Sequence, residues 1–244
     1  ESKIGYEKIL NERVKELKGY STTLNFPNFG EMVTETCGVF DSEKLSGEVV
    51  EEFAASQGVT TNATLLAVFG FLVSKVTNEP RLLIAHPSSW RNLDNENLVG
   101  YFGDLALVPI NNSPDITFKE ITKHVQKSIS LEAAQPISIT GLANALLDSE
   151  NRELGRVMLS VQTAETEVLN FAGYQADLVQ LAAQKPRVDL TLHVIKSSNK
   201  NWTLRWEYDP FKIGQNLVKD MNEALLKTLR VLVSSPDERI GSLD

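Results

Sequence analysis

The sequence has little of several residue types, and each shortage excludes a class of protein. Only one of the 244 residues is a cysteine, so no disulfide can form within the chain. A zinc site needs about four closely placed ligands, and Cys37 has no cysteine or histidine near it, so we expect no bound metal. No apolar run approaches the roughly 20 residues that span a bilayer, and no signal peptide opens the chain. We therefore expect a cytoplasmic protein with no membrane partner.

Positive charge is also in short supply. The chain has 24 Lys and Arg residues against 32 Asp and Glu residues, a net charge of -8 that is spread along its length. Such a surface does not suit phosphate groups, so we expect no nucleic acid partner. The sequence also lacks a Gly-x-x-x-x-Gly-Lys loop and a Gly-x-Gly-x-x-Gly turn after a strand, so it shows no nucleotide site.

The residues that are present alternate between helical and strand patterns, which predicts a mixed α/β protein. The predicted helices cover residues 2–18, 61–76, 116–131, 140–147 and 213–232. The run NATLLAVFGFLVSKV is apolar on nearly every side, which is typical of a helix buried in a core. The predicted strands cover 33–40, 81–87, 102–110, 156–162, 188–195 and the segment WTLRWEY. We expect Asp41-Ser42 to begin a helix that runs to Gln57, and Asn199-Lys200-Asn201 to turn an antiparallel hairpin.

Five segments, in this order, carry a resemblance to a known family. The first two run from Ala85 to Arg91 (AHPSSWR) and from Val99 to Asp104 (VGYFGD), and the others are RVMLSVQ, VDLTLHV and WEYDPFKIGQNLVKDM. From about Leu17 to Asp244 the chain resembles the C-terminal lobe of a nonribosomal peptide synthetase condensation domain. The family patterns are Gly-x-Pro-x-x-x-Arg and Val/Ile-Gly-x-Phe-Val-Asn. This sequence departs from them with alanine at 85 and aspartate at 104, and LDSENRELG matches Arg-Asp-x-Ser-Arg-Asn-Pro-Leu only faintly.

The resemblance implies a fold and a division of the chain. The fold is an α+β sandwich, one half of a chloramphenicol acetyltransferase-like pseudodimer, in which a mixed β-sheet is packed with helices. Residues 1–244 then form one C-terminal lobe. Within it, residues 1–30 are an entry helix and loop, 31–234 the lobe itself, and 235–244 the exit to a linker.

The same resemblance implies a function shared with absent partners. In the family, a His-His-x-x-x-Asp-Gly motif in the N-terminal lobe supplies the catalytic histidine, and a general base must lie within hydrogen-bond reach of its proton. The three histidines here, His86, His124 and His193, do not form that motif, so we expect no catalytic residue and no activity of the chain alone. The implied partners are the N-terminal lobe, peptidyl carrier proteins and an adjacent adenylation domain. No cofactor is expected on this chain, since phosphopantetheine is carried by the carrier proteins.

Two alternatives remain open at this point. One is a degenerate, non-catalytic module that binds a partner within a synthetase, which Asp104 and the segment LDSENRELG favour. The other is a lobe of an epimerisation domain or of a free-standing acyltransferase, since these share the same scaffold.

The resemblance also suggests site residues, each with a structural alternative. The candidates for a substrate and carrier tunnel are His86, Ser88, Trp90, Asp104 and Gln162. The alternatives are a packed or hydrogen-bonded histidine, a tryptophan on a core face, and a strand-end aspartate in water. Three further residues have structural assignments: Arg91 is expected to pair with Asp189 in a partly buried salt bridge, and Gly100 to serve a close approach or an unusual backbone conformation.

Overall fold

The computed structural model describes residues 3–27, 37–146, 154–163, 169–171, 174–176, 185–196 and 200–242. Helices in these ranges are α1 (Lys3–Leu17), α2 (Gly47–Gln57), α3 (Thr61–Thr77), α4 (Phe118–Ala134), α5 (Ile139–Leu146) and α6 (Gln215–Ser234), with a 3-10 turn at Ile240–Ser242. The strands are β1 (Gly38–Ser46), β2 (Arg81–Ser89), β3 (Gly103–Asn111), β4 (Val157–Thr163), β5 (Leu169–Phe171), β6 (Tyr174–Ala176), β7 (Leu190–Lys196) and β8 (Asn201–Tyr208). The predicted mixed α/β class is confirmed.

Six strands form one mixed sheet in the order β1-β8-β7-β4-β2-β3, while β5 and β6 pair separately. Strands β2, β4 and β7 are parallel to one another, and the other neighbours in the sheet are antiparallel. The predicted β7–β8 hairpin is confirmed, with His193 opposite Arg205. Since parallel strands end at the same edge, the carboxyl ends of β2, β4 and β7 lie side by side, and there a binding crevice can form in open α/β sheets.

One face of the sheet is covered by α2, α3, α4 and α6, whose apolar residues join those of the sheet in one core. The prediction for α3 is confirmed, because every residue from Ala63 to Ser74 is buried. The helix approaches β3 closely at Gly70, where an added Cβ would lie 2.6 Å from an Ile110 side-chain carbon. No single described helix is long and apolar enough to cross a membrane, although α2 and α3, bent by 106°, pass together on length and composition alone.

On the opposite face, α1 and α5 pack over β2 and β3 and enclose a second apolar cluster, which Met158 of β4 also joins. Arg13 fixes α1 in place: its Nη2 donates to the Leu107 carbonyl at 2.6 Å and to Ser128 Oγ at 3.1 Å, and its Nη1 donates to Glu16. Over the end of β4 and over β7, β8 and β1, the described part of this face carries polar side chains such as Gln162, His193 and Arg205. We call this part the uncovered face, since α1 and α5 lie over β2 and β3.

One predicted segment differs from the observed structure. Asp41 and Ser42 do not cap a helix, because β1 continues to Ser46 and α2 begins at Gly47. Asp41 instead accepts two hydrogen bonds from Arg205 of β8, at 2.8 and 2.9 Å, which holds it in the strand. The beginning of the strand predicted at 33–40 lies outside the described residues, as does most of LDSENRELG.

The segment predicted as an exit packs back onto the structure over its described part. Ile240 is buried and its N–H donates to the Ile116 carbonyl at 2.9 Å, while Gly241 N–H donates to the Pro114 carbonyl at 3.0 Å. Residues 236–242 thus pack beside residues 114–119, where α4 begins.

Candidate functional site

A polar cluster lies where the carboxyl ends of the parallel strands meet the start of α3. On one side, Asn62 Nδ2 lies 3.1 Å from His86 Nε2, near the end of β2. On the other, the Lys196 ammonium at the end of β7 donates to Thr61 Oγ1 at 2.6 Å and lies 4.7 Å from the centre of the Trp202 ring. Burial lowers the pKa of Lys196. The cluster joins residues that are far apart in sequence, at a sheet edge suited to binding.

Burial disfavours the charged form of His86 in this cluster. Burial lowers the pKa of His86, and a backbone interaction with Leu159 opposes the shift only in part. Nε2 of His86 is in contact with the Asn62 amide, while Nδ1 is buried without a hydrogen-bond partner among the described residues. The Asn62 Oδ1 atom is also buried and unpaired among the described residues. His86 can therefore shape a polar wall, but its Nε2 is already engaged.

A second polar group lies on the uncovered face of the sheet. Gln162 Nε2 donates to His193 Nδ1 at 3.2 Å, and His193 Nε2 lies 3.7 Å from a Glu207 carboxylate oxygen. Burial lowers the pKa of His193, while the nearby Glu207 carboxylate opposes the shift. Leu192 and Val194 point into the core, so the intervening His193 points away from it. These three polar side chains form a row across β4, β7 and β8.

The candidate tunnel residues are thus divided between the two faces. His86 lies on the same face of β2 as Leu82 and Ile84, which belong to the main core. Gln162 lies on the face of β4 opposite Leu159 and Val161 and so faces the uncovered side. Ser88 lies opposite Asp104 in the β2–β3 register. The described structure does not bring His86 and Gln162 together, so a common role for these five residues stays a prediction.

Asp104 lies on β3, and its carboxylate reaches the start of α5. Its Oδ1 accepts from Leu105 N–H at 2.8 Å, and its Oδ2 accepts from Ile139 N–H, at the first residue of the helix, at 3.2 Å. Glu132 Oε1 accepts from Ile137 N–H at 3.4 Å, so two carboxylates hold the turn that leads into α5. Burial raises the pKa of Glu132. Both oxygens of Asp104 are therefore occupied by the backbone.

Asp104→Ala is expected to lower the free energy of unfolding by about 1 kcal/mol, the usual cost of losing a helix cap. Asp104→Asn should retain most of that stability because its amide oxygen can accept from Ile139 N–H. Urea denaturation measures both. Asp94→Ala, in an exposed loop, is the control and should change stability by less than about 0.5 kcal/mol. An Asp104→Ala protein as stable as the unmodified chain would contradict the capping role.

The loop between β2 and β3 is organised by Arg91. Its guanidinium donates to four backbone carbonyls at 3.0–3.3 Å and lies 4.7 Å from the centre of the Phe102 ring. The four carbonyls belong to Asn95, Glu96, Leu98 and Gly100. An added Cβ at Gly100 would lie 3.0 Å from the Phe102 ring. Arg91 thus stabilises the loop conformation from within.

The predicted salt bridge between Arg91 and Asp189 is wrong. Asp189 Oδ1 accepts from Arg156 through Nε at 3.1 Å and through Nη2, and from Lys212 Nζ at 2.8 Å. Arg91 instead bonds carbonyls no more than nine residues away along the chain. A guanidinium has five N–H donors, and the carbonyls of its own loop are the partners that lie closest.

Four large apolar side chains stand out from this loop into solvent. We call residues 92–101 the apolar loop, and its exposed members are Leu93, Leu98, Val99 and Tyr101, with exposed fractions of 57–104%. The backbone N–H of the neighbouring Trp90 donates to the Phe102 carbonyl at 2.8 Å. Its indole Nε1 is buried without a partner among the described residues. Exposed apolar side chains grouped in one loop are typical of an interaction surface.

Within the described ranges, no group of three or more histidine, cysteine or carboxylate side chains is arranged to hold a metal ion. The described part of the site is instead built from a buried histidine, amides, a lysine and an exposed apolar loop. Such groups can contact polar and apolar parts of a ligand without a metal.

A family model and two curated relatives place the chain among known proteins. The condensation domain model matches residues 31–244. The chain is 25% identical over 207 residues to a linear gramicidin synthase from Brevibacillus parabrevis, covering 81% of this chain and 4% of that protein. It is 23% identical over 203 residues to bacitracin synthase 1 of Bacillus licheniformis, covering 80% of this chain and 4% of that protein. The chain therefore spans only a small part of these curated relatives.

Two solved structures share the fold over almost the whole chain. The X-domain from teicoplanin biosynthesis matches with a TM-score of 0.81 at 15% identity, covering 98% of this chain and 57% of that one. The first condensation domain of the CDA synthetase matches with a TM-score of 0.73 at 14% identity, covering 97% of this chain and 53% of that one. Since the family model matches most of its length, the chain belongs to the condensation domain family of nonribosomal peptide synthetases.

Proposed function

We propose that the chain acts as the C-terminal lobe of a condensation domain and forms one wall of a tunnel completed by an N-terminal lobe. An upstream carrier protein presents an acyl or peptidyl thioester on its phosphopantetheine arm, and a downstream carrier presents an aminoacyl thioester. The amine nitrogen attacks the donor carbonyl carbon, the C–S bond breaks, and an amide and a free thiol form. The companion lobe supplies the histidine that assists this attack.

The exposed apolar loop is the observation that carries this proposal. Its side chains are held outward by a conformation that Arg91 fixes through four hydrogen bonds. A rigid apolar surface binds a partner without a large cost in loop ordering. The companion lobe fits as that partner, since this chain covers 57% of the X-domain and 53% of the CDA condensation domain.

We assign roles in the completed domain to the polar residues of the site. His86 and Ser88 would line the tunnel next to the start of α3, with Trp90 at the base of the apolar loop. Gln162, in its row with His193 and Glu207, would face a carrier or its arm from the uncovered sheet. An adenylation domain would act next to this domain in the assembly, loading the downstream carrier.

The test compares the chain alone, the chain with a separately produced N-terminal lobe, and the longer parent protein, each with loaded carriers. Mass spectrometry of the carriers measures the amide product. We expect product from the parent and from the paired lobes, and none above background from the chain alone. A complete, well-folded parent that forms no amide would overturn the proposal.

Substitution of the apolar loop is expected to separate the two lobes. Val99→Ser combined with Tyr101→Ser should weaken association at least about tenfold, because two large exposed side chains lose their contact area. The matched control is Leu131→Ser, which changes an exposed leucine on α4 and should leave association unchanged. Calorimetry of lobe binding makes the measurement, and equal affinities in all proteins would contradict the role of the loop.

A second candidate function is a docking module without chemistry of its own. It is favoured by the match to the teicoplanin X-domain, which was solved in complex with OxyB, with a TM-score of 0.80 at 16% identity. Amide formation and partner binding by the parent protein distinguish the two candidate functions. A parent that makes no amide but binds a partner protein, and loses it when Val99 and Tyr101 are changed, would establish the docking module instead.

A further inference from the structure

A groove of about 310 Å³ lies between α3 and α6, in the helical layer. Its walls are mainly apolar and its other lining groups are two lysines and a threonine. The complete lining is Phe71, Lys75, Ala224, Lys227, Thr228, Val231 and Leu232. The lining positions on α6 follow helical spacing, so they form one continuous stripe beside α3.

Positive charge borders this apolar stripe. The Lys75 ammonium lies 5.4 Å from the centre of the Phe71 ring, which holds it against the apolar wall. Lys227 is exposed one α6 turn from Ala224 and one from Val231. Among the residues that the structure describes, neither ammonium forms an ion pair with a carboxylate. The chain has 32 acidic and 24 basic residues, so these two lysines form a positive site on a negatively charged protein.

We propose that this groove binds a small amphiphilic carboxylate, with its apolar body along α6 and its anionic head between Lys75 and Lys227. The volume lies near the lower limit of the roughly 300–1,000 Å³ typical of small-molecule sites, which suits a body of about ten carbon atoms. The apolar walls exclude a strongly polar ligand, and the two lysines disfavour a cation.

The groove is separate from the proposed tunnel. His86 contacts Asn62 in the first turn of α3. The groove's α3 residues, Phe71 and Lys75, lie nine or more residues farther along that helix, roughly 13 Å away at 1.5 Å per residue. Binding in the groove therefore depends on neither a companion lobe nor amide formation, and the two proposals can fail independently.

The probes are sodium decanoate, decan-1-ol and decyltrimethylammonium bromide, each titrated into the whole chain below its micelle concentration. Isothermal titration calorimetry measures the affinity. We expect saturable 1:1 binding of decanoate, at least about fivefold tighter than decyltrimethylammonium and weaker at higher salt, because the lysines attract one head group and repel the other. Equal affinity for the two charged probes, or no saturable decanoate binding, would overturn the proposal.

Variants locate the binding site. Lys75→Gln combined with Lys227→Gln should weaken decanoate binding about threefold to tenfold and leave decan-1-ol unchanged, since exposed ion pairs are individually modest. Lys219→Gln, an exposed lysine on α6 outside the groove, is the matched control. Ala224→Phe should fill the groove and abolish binding of both probes. If the filled variant fails to fold, the lysine pair still decides, and unchanged decanoate affinity in that pair would overturn the site.

Discussion

Asp189→Ala is expected to lower the free energy of unfolding by about 2–3 kcal/mol. The Asp189 carboxylate is nearly buried and accepts from both Arg156 and Lys212, so its removal leaves two cations without their shared partner. Breaking a fully buried pair costs about 3–5 kcal/mol, and the partial exposure of both cations reduces that cost. Urea denaturation followed by tryptophan fluorescence measures the loss.

A double-mutant cycle identifies the true partner of Asp189. Arg156→Ala and Asp189→Ala should couple by about 1 kcal/mol or more, whereas Arg91→Ala and Asp189→Ala should be additive, because additivity holds for residues that do not touch. Asp115→Ala, which removes one side of an exposed pair with Arg239, is the control and should cost less than about 1 kcal/mol. Coupling between Arg91 and Asp189 would contradict the observed contacts.

Most of the secondary structure could be predicted because its signals are periodic and local. The burial of α3 follows from an apolar run that a surface helix could not carry, and the β7–β8 hairpin follows from a polar turn between two alternating segments. The boundary between β1 and α2 could not be predicted in this way. Asp41 and Ser42 match a helix start locally, but pairing with β8, distant in sequence, holds them in a strand.

The candidate site was less predictable because its contacts are not local. The chain positions of Asn62 and His86 differ by 24, and those of Thr61 and Lys196 by 135, and no spacing rule joins them. The division of His86 and Gln162 between two faces depends on the register of neighbouring strands, which the sequence alone does not fix. The prediction for Arg91 failed in the other direction. A partner distant in sequence was expected, but the four observed hydrogen bonds of its guanidinium go to carbonyls of its own loop.

The Trp206 contacts explain how the sheet is fixed to α6, and they predict a large effect of mutation. Trp206 is fully buried, its ring centre lies 6.0 Å from that of Phe69, and its Nε1 donates to Asn222 Oδ1 at 3.1 Å. Asn222 Nδ2 in turn lies 3.2 Å from Ser42 Oγ of β1. Trp206→Ala is therefore expected to cost about 3–5 kcal/mol from the lost packing, before the unpaired Asn222 amide is counted.

Since Trp206→Ala could prevent folding, Trp206→Phe separates the hydrogen bond from the ring. It should cost about 1–3 kcal/mol, because the ring stays but Asn222 Oδ1 loses its donor in a buried site. Adding Asn222→Leu should cost less than the sum of the two single changes, since the second substitution removes the amide that the first leaves unpaired. Trp202→Phe, on the same strand and under Lys196, is the comparison for ring size. Urea denaturation followed by circular dichroism measures the unmodified chain, the two single variants and the double variant at positions 206 and 222, and Trp202→Phe. Strict additivity at positions 206 and 222 would show that the bond from β8 to α6 contributes nothing.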